Sequence, residues 1–222
     1  MTARGEIIDI SPMISGRMAV FPGDTPVTRE VAFDMKRGDA ITLSALRTTV
    51  HLGSHADAPS HYGLDGRTME QQSLALYWGL CEVVRVRASS SVDATARPIT
   101  RISRADLDID SQWIPSTARL LIATGSYPDC DKWTGSYLAL EPAFVDWLAD
   151  TGVRLVGIDT PSVDTADSKD LPAHARFFAH DMSIIEGLVL AHVEPGTYEL
   201  CAMPLKLEGF DGSPVRAALR SA

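Results

Sequence analysis

Short apolar runs recur along the chain and predict a protein rich in β-strands. Alternating or β-branched runs occupy residues 6–10, 40–52, 80–88 and 197–205, while residues 118–125 and 153–160 are more continuously apolar. Alternation is typical of a strand with one buried face, and a continuous apolar run is typical of a strand covered on both faces. The pattern therefore predicts a sheet whose central strands are buried on both sides.

Helical periodicity is confined to fewer segments. Residues 141–152 carry Phe144, Val145 and Leu148 on one stripe and end at Gly152, a residue type that commonly ends helices. Helical spacing is partial in residues 173–187, and residues 104–108 predict a short helix. Strands combined with helices predict a mixed α/β fold, and 222 residues are too few for a typical TIM barrel of roughly 250 residues. No linker-like composition interrupts residues 1–222, so we expect a single domain.

Charge and cysteine content narrow the partners and the compartment. The formal net charge is −9, the pI is about 5.1, and Lys and Arg do not cluster, which argues against nucleic acid or an anionic membrane as a partner. Cys81, Cys130 and Cys201 form no CxxC motif, and their odd number fits a reducing compartment. The N-terminus lacks the apolar stretch of a signal peptide, and no run approaches about 18 apolar residues. We therefore expect a cytoplasmic protein.

The segment HLGSHADAPSH, residues 51–61, concentrates side chains that bind metals. It holds three of the six histidines in the chain together with an aspartate. His55, Asp57 and His61 follow His51 at even separations of 4, 6 and 10 positions. Even separations place side chains on one face of an extended segment, whereas a helix would turn Asp57 away from His51 and His55. The spacing therefore predicts an extended, one-sided array.

A straight strand would keep the first two histidines of this array too far apart to share an ion. At roughly 3.3 Å per residue, the Cα atoms of His51 and His55 would lie about 13 Å apart, while a metal–nitrogen bond is only about 2.0–2.1 Å long. Gly53 lies midway between them, and we expect it to provide the bend. Two imidazoles and a carboxylate are a ligand set for zinc or manganese, so the segment predicts a divalent metal site rather than a solvated loop.

The same segment resembles the H-x-G-T-H-x-D-x-P-x-H signature of the cyclase-like metal-dependent hydrolases. Six of the seven signature positions agree, and Ser54 replaces the threonine. Further resemblance to the bacterial kynurenine formamidases (arylformamidases) of this family is carried by FPGDTP (21–26), VGIDTPSVDTADSKDLPAH (156–174), IIEGLVL (184–190) and AMPLKLEGFDGSPVRAAL (202–219). The resemblance implies the swivelling β/β/α fold, in which flanking helices surround a mixed, barrel-like sheet.

The resemblance also implies a two-metal centre, with zinc as the expected ion and manganese as the alternative. Five side chains would hold the ions: His51 and His55 on the first ion, His174 on the second, and the bridging Asp57 and Glu186. His61 would stay off the metals as the acid/base residue. Phe21 stands where the family usually has a tryptophan that lines the substrate pocket, which keeps an aromatic face of different size.

Spacing in the sequence does not by itself support the distant members of this set. From the residues alone, His174 is not preferred over His180, and Glu186 is an acidic residue with no motif around it. Without the resemblance, His180 and His192 are expected at the surface or at the edge of the core. Asp159, at the end of an apolar strand, is expected to stabilise a turn.

The activity implied by the resemblance is hydrolysis of N-formyl-L-kynurenine to L-kynurenine and formate, a step of tryptophan degradation, by a homodimeric enzyme. One alternative is another hydrolase of the family that acts on a cyclic amide, a lactone or an isatin-like ring, because the signature at residues 51–61 does not separate these substrates. A second alternative is a non-catalytic domain stabilised by zinc. Structural zinc sites are usually closed by Cys and His, and no cysteine lies near the motif, which disfavours this alternative.

Overall fold

The computed structural model describes residues 5–87 and 100–221. The helices are α1 (Pro142–Asp150) and α2 (Pro172–Ala179). The strands are β1 (Ile7–Asp9), β2 (Thr28–Phe33), β3 (Leu43–Arg47), β4 (His55–Asp57), β5 (Trp78–Arg85), β6 (Arg101–Ile102), β7 (Arg119–Ala123), β8 (Ala139–Leu140), β9 (Leu155–Ile158), β10 (Ser183–Glu186), β11 (Gly196–Cys201), β12 (Gly212–Pro214) and β13 (Ala218–Ser221).

Within these ranges, nine strands form one mixed sheet in the order β1-β13-β11-β5-β7-β9-β10-β4-β12. The central pairs β5–β7, β7–β9 and β9–β10 are parallel, and the outer pairs are antiparallel. The sheet curls into a half-barrel with the helices beside it, which confirms the predicted mixed α/β fold with a barrel-like core. Two further pairs, β2–β3 and β6–β8, lie outside this sheet.

The central strands are buried on both faces because their side chains alternate between two apolar layers, one of which includes residues of α1 and α2. In β7, Leu120 and Ile122 belong to the apolar layer that contains Leu148 of α1 and Phe177 of α2. Leu121, between them, belongs to the opposite layer. Each fully buried side chain of this kind contributes roughly 1.5–3 kcal/mol to stability. The continuous apolar runs therefore predicted two-sided burial correctly.

Most of the predicted elements appear, with shorter bounds. Strands β1, β7, β9 and β11 and helix α1 coincide with predicted segments, and α1 is followed by Gly152 at φ 94°, as the sequence predicts. The run 80–88 contains most of β5, and its last residue, Ala88, lies outside the described residues. The predicted helix at 104–108 is a single 3-10 turn, Arg104–Asp106. Neither α1 nor α2 has the length and apolar run that a helix needs to cross a bilayer.

Two sequence predictions are wrong in extent. The strand predicted over residues 40–52 is limited to β3 and pairs with β2 in an exposed hairpin. The helical spacing seen in residues 173–187 continues only to the end of α2. The chain then turns at Asp181, at φ 51°, and enters β10. Every residue of β10 is buried, so the strand lacks the apolar–polar alternation that marks a half-buried strand. A short buried strand of this kind is not distinguished from a helix by the spacing of its apolar residues.

Candidate metal centre and active site

Gly53 lies at a bend between His51 and His55. Its φ of 54° lies in the left-handed region, which glycine adopts without a steric penalty. The extended array predicted for residues 51–61 is therefore confined to β4, which begins at His55. A 3-10 turn at Pro59–His61 then folds back, so that the ring centroids of His51 and His61 lie 4.0 Å apart. The predicted bend is present, and the second turn is an addition that spacing did not reveal.

Strand β10 brings Glu186 to the motif through the register of the sheet. Glu186 pairs directly with His55 across the antiparallel β10–β4 ladder. The next residue, Gly187, has φ 65°, and a Cβ there would lie 2.0 Å from the carbonyl oxygen of Gly53. The Ser54 hydroxyl donates to the Gly187 carbonyl at 2.8 Å, a bond that a threonine hydroxyl could also make. The departure at Ser54 therefore preserves the local chemistry.

Helix α2 presents His174, and Asp164 fixes the orientation of its imidazole. The Asp164 carboxylate accepts hydrogen bonds from the backbone N–H groups of Ala173 and His174, at 3.0 and 3.1 Å from its Oδ2. The same Oδ2 lies 2.9 Å from His174 Nδ1, while Arg101 donates to Oδ1 at 2.8 Å. Since Nδ1 is held by Asp164, Nε2 is the nitrogen left to face the other carboxylates.

Asp57 and Glu186 each direct one oxygen to each side of the cluster. Asp57 Oδ1 lies 3.0 Å from His51 Nδ1 and 3.5 Å from His55 Nε2, while Oδ2 lies 3.5 Å from His174 Nε2. Glu186 Oε2 lies 3.3 Å from His55 Nε2, and Oε1 lies 3.7 Å from His174 Nε2. This is the arrangement expected of two carboxylates that bridge a pair of sites.

These residues fit divalent cations. The ligand atoms form two overlapping clusters, His51–His55–Asp57 and Asp57–His174–Glu186, each spanning less than 4.8 Å. Oδ2 of Asp57 is buried and accepts no hydrogen bond from any described residue. A buried carboxylate needs a compensating charge, and imidazole with carboxylate is a donor set that suits zinc or manganese. His51, His55, Asp57, His174 and Glu186 are therefore the residues that could hold the ions.

The electrostatics of the cluster favour positive charge. Burial opposes the charge on His51, but hydrogen bonds and Coulombic attraction to Asp57 and Asp211 outweigh it and raise its pKa to about 9. Burial likewise opposes the charge on His174, but contacts with Asp164 and Asp57 raise its pKa to about 10. The pKa of Asp57 is well below its usual value, because contacts with His174 and His51 outweigh the effect of burial. Two imidazolium groups therefore supply the compensating charge when no cation is bound.

We expect metal binding at neutral pH to release protons. Because the pKa values of His51 and His174 are about 9 and about 10, both are protonated at pH 7 in the metal-free protein, whereas metal ligation requires neutral imidazole. Loading should therefore release about two protons near pH 7, and apparent affinity should rise with pH up to about 9–10. Titration calorimetry in buffers of different ionisation enthalpy measures this number; zero release would contradict the prediction.

The stability of the metal-free protein follows from the same raised pKa values. The stabilisation from a histidine with a raised folded-state pKa is complete below its unfolded value of about 6.5 and is lost as the pH rises through the folded value. The melting temperature of the chelated protein should therefore fall between about pH 7 and pH 10, and bound metal should reduce this fall.

The cluster lies in the wall of a cavity of about 600 Å³. The predicted residues His51, His55, His61, His174, Glu186 and Phe21 all line it. Phe21 packs edge-to-face against Trp133, with ring centroids 4.9 Å apart, and Tyr127 extends this aromatic wall. The structure thus brings an aromatic surface and the candidate metal ligands together in one site.

Of the other candidates, His180 and His192 are not among the residues that line the cavity, whereas Asp159 lines it. His180 Nε2 is 2.7 Å from Asp146 Oδ1, and His192 Nε2 is 3.1 Å from the carbonyl oxygen of Asp9. Asp159 accepts backbone hydrogen bonds from Thr124 and Gly125, both at 2.9 Å, which is the turn-stabilising role expected of it.

Three residues of the site were missed in the sequence. Asp164 orients His174, Trp133 packs on Phe21, and Asp211 contacts two histidines: its Oδ2 lies 3.1 Å from His51 Nε2 and 3.4 Å from His61 Nδ1. Asp164 and Asp211 both fall in segments that resemble the family, but neither has a spacing relation to the histidines. Only their location in a shared motif segment could have drawn attention to them.

Comparison with known proteins finds one family and several related structures. A family model described as "Putative cyclase" matches residues 8–165. A structure described as a potential metal-dependent hydrolase with cyclase activity is 28% identical over 96% of both chains, with a TM-score of 0.74. A predicted metal-dependent hydrolase from Bacillus stearothermophilus is 26% identical over 98% of both chains, with a TM-score of 0.75.

A third structure shares the fold at lower identity. Isatin hydrolase A from Labrenzia aggregata, bound to benzyl benzoate, is 20% identical over 97% of this chain and 93% of its own, with a TM-score of 0.77. The family match covers well over half of the chain and includes the histidine motif at residues 51–61. The chain therefore belongs to the cyclase family.

Proposed function

We propose that this protein is a metal-dependent amidohydrolase that converts N-formyl-L-kynurenine to L-kynurenine and formate. One observation carries the proposal: Asp57 and Glu186 each direct separate oxygens to histidines on either side, inside an aromatic cavity of about 600 Å³. That arrangement supports two divalent ions, with zinc as the first candidate and manganese as the second. A formylated arylamine has an aromatic ring for the cavity wall and a small amide for the metal centre.

The residues have distinct roles in this proposal. Five residues would hold divalent cations in the cavity wall: His51, His55, His174, Asp57 and Glu186. Such ions would supply Lewis acidity, which polarises a carbonyl oxygen and makes hydroxide available near neutral pH. Phe21 and Trp133 present aromatic faces against which the substrate ring can pack.

His61 is the proposed acid/base residue. It lines the cavity, its side chain is 35% exposed, and its Nδ1 faces Asp211, which leaves Nε2 to face the substrate. Nε2 accepts a proton as water attacks the formyl carbon, and it returns that proton to the anilinic nitrogen as the carbon–nitrogen bond breaks. Histidine suits this exchange because one ring nitrogen can accept a proton and later return it.

A second candidate is hydrolysis of an isatin-like cyclic amide. The shared fold with isatin hydrolase A supports it, and both reactions attack an amide carbonyl next to an aromatic ring. The residues that line the pocket do not separate the two candidates. The formamidase activity is favoured by the segments that resemble kynurenine formamidases, residues 21–26, 156–174, 184–190 and 202–219.

The deciding experiment is reconstitution followed by a comparison of substrates. Metal-free protein is loaded separately with zinc or manganese, and turnover is measured on N-formyl-L-kynurenine, formanilide and isatin. We expect the metal-loaded protein to release formate from the two formamides with higher kcat/KM than it opens isatin. Higher kcat/KM on isatin would favour the second candidate, and inactivity on all three with full metal content would reject both.

We further propose a homodimer, the assembly that the family resemblance implies. The β2–β3 hairpin supports it, because Phe33 and Leu43 pair directly across the hairpin and are each 48% exposed, and exposed apolar patches commonly mark interfaces. Light scattering should give the mass of a dimer for the wild type and a shift toward monomer for Leu43→Glu. A monomeric wild type at micromolar concentration would contradict the assembly.

A further inference from the structure

Asp211 is placed against the histidine motif by an edge strand. Its carbonyl oxygen accepts a hydrogen bond from Ala58 N at 2.9 Å, and the following residue, Gly212, pairs with Asp57 in the β12–β4 ladder. A Cβ on Gly212 would lie 2.8 Å from Cε1 of His51. The backbone at residues 211 and 212 therefore packs directly on the His51 ring, which no larger residue at 212 would permit.

A single oxygen of Asp211 contacts two imidazoles with different assigned roles. Oδ2 lies 3.1 Å from Nε2 of His51 and 3.4 Å from Nδ1 of His61. The two rings lie 4.0 Å apart between centroids, tilted by 35°. His51 directs its other nitrogen, Nδ1, toward Asp57 at 3.0 Å. The Asp211 carboxylate therefore contacts one ring nitrogen of the proposed metal ligand His51 and one ring nitrogen of the proposed acid/base residue His61.

We propose that Asp211 is a positioning residue that locks the tautomer and orientation of His61 against the metal ligand His51. The proposal rests on the proposed function, since it assigns His61 as the acid/base residue. A carboxylate bound to the outer nitrogen of a histidine fixes the tautomer and ring orientation and leaves the other nitrogen free to act. For His61, whose side chain lines the cavity, the nitrogen left free is Nε2.

A direct ligand role for Asp211 is the competing assignment. His51, His61 and Asp211 offer ligand atoms within 4.8 Å of one another, so they could in principle hold an ion themselves. The buried carboxylates argue against this, because the side chains of Asp57 and Glu186 are 1% and 4% exposed whereas that of Asp211 is 49% exposed. His51 Nδ1 already faces Asp57, so ligation through Nε2 would draw His51 away from the His51–His55–Asp57 cluster.

The test compares Asp211→Asn with the matched control Glu208→Gln, an exposed acid of the same segment. We expect Asp211→Asn to retain the full metal stoichiometry at saturation and to lose about 10–100-fold in kcat. KM should change little, because Asp211 is not placed in contact with the substrate. Glu208→Gln should match the wild type. Loss of one metal equivalent in Asp211→Asn would overturn the proposal in favour of direct ligation.

A double-mutant cycle shows whether Asp211 acts through His61. If it does, Asp211→Asn should cost little further activity in a His61→Ala background, because the group it positions is already gone. An equal loss of kcat in both backgrounds would overturn the proposal.

A readout independent of activity separates this proposal from the proposed function. Nitrogen-15 NMR of metal-loaded protein should show His61 protonated on Nδ1 in the wild type and in Glu208→Gln, and a mixture of tautomers in Asp211→Asn. An unchanged tautomer in Asp211→Asn would overturn the positioning role. If the wild type hydrolysed no formamide, the proposed function would fail while the NMR result still decided what Asp211 does to His61.

Discussion

Replacing His55 by alanine is expected to abolish stable metal binding and, with it, hydrolysis. The Nε2 atom of His55 lies 3.5 Å from Asp57 Oδ1 and 3.3 Å from Glu186 Oε2, so it stands between the two bridging carboxylates. Its Nδ1 lies 2.9 Å from the carbonyl oxygen of Gly53, which fixes the ring in that position. Loss of the imidazole would remove one nitrogen ligand of the proposed metal site and leave a gap between the buried carboxylates of Asp57 and Glu186.

The expected loss of metal affinity exceeds about 100-fold, the upper value for losing an outer hydrogen-bond partner of a ligand. Metal content after gel filtration, measured by mass spectrometry, checks this expectation. His180→Ala is the matched control, because His180 pairs with Asp146 away from the cluster and its loss should leave metal content unchanged. His55→Gln provides a second variant of similar size. Full metal content in both His55 variants would refute its role as a ligand.

Replacing His61 by alanine should have the opposite signature: metal is retained and turnover is lost. His61 lies at the exposed side of the cluster, with its ring centroid 6.2 Å from that of His174, and both oxygens of each bridging carboxylate face other histidines. General acid–base catalysis typically contributes about 10²–10⁴-fold, so kcat should fall within that range.

The His61 prediction is checked by measuring kcat and metal content on the same preparation. His192→Ala is the control, since His192 is an exposed histidine bonded to the Asp9 backbone. Normal turnover in His61→Ala would remove it from the mechanism. Loss of metal from this variant would instead indicate that His61 is a ligand and would contradict the assignment made from the family resemblance.

Local patterns in the sequence predicted the strands and the bend of the site. Residues 118–125 and 153–160 predicted strands buried on both faces, and β7 and β9 are such strands, because each residue of a central strand packs against one of two apolar layers. Gly53 predicted a bend between two histidines, and it adopts a positive φ. These features depend on residues close together in the chain, so spacing and residue type were sufficient to predict them.

The length of the local elements was less well predicted. Residues 183–186 follow helical spacing but form β10, since both faces of that strand are buried. The one-sided array expected over residues 51–61 is a three-residue strand followed by a 3-10 turn, and that turn places His61 beside His51. A pattern of apolar and polar residues does not show where pairing with a neighbouring strand will begin or end.

By itself, the sequence determined the mixed α/β class, the compact cluster of His51, His55 and Asp57, and the chemistry those side chains favour. Only the tertiary structure decided that Glu186 lies opposite His55 and that Asp164 and Asp211 hold the outer nitrogens of His174 and His51. The physical reason is that these contacts follow from sheet register and from the packing of α2. The Glu186–His55 and Asp211–His51 contacts join segments more than one hundred residues apart. Asp164 and His174 are only 10 residues apart, but they meet through the loop that leads into α2, and no periodic spacing predicts that contact.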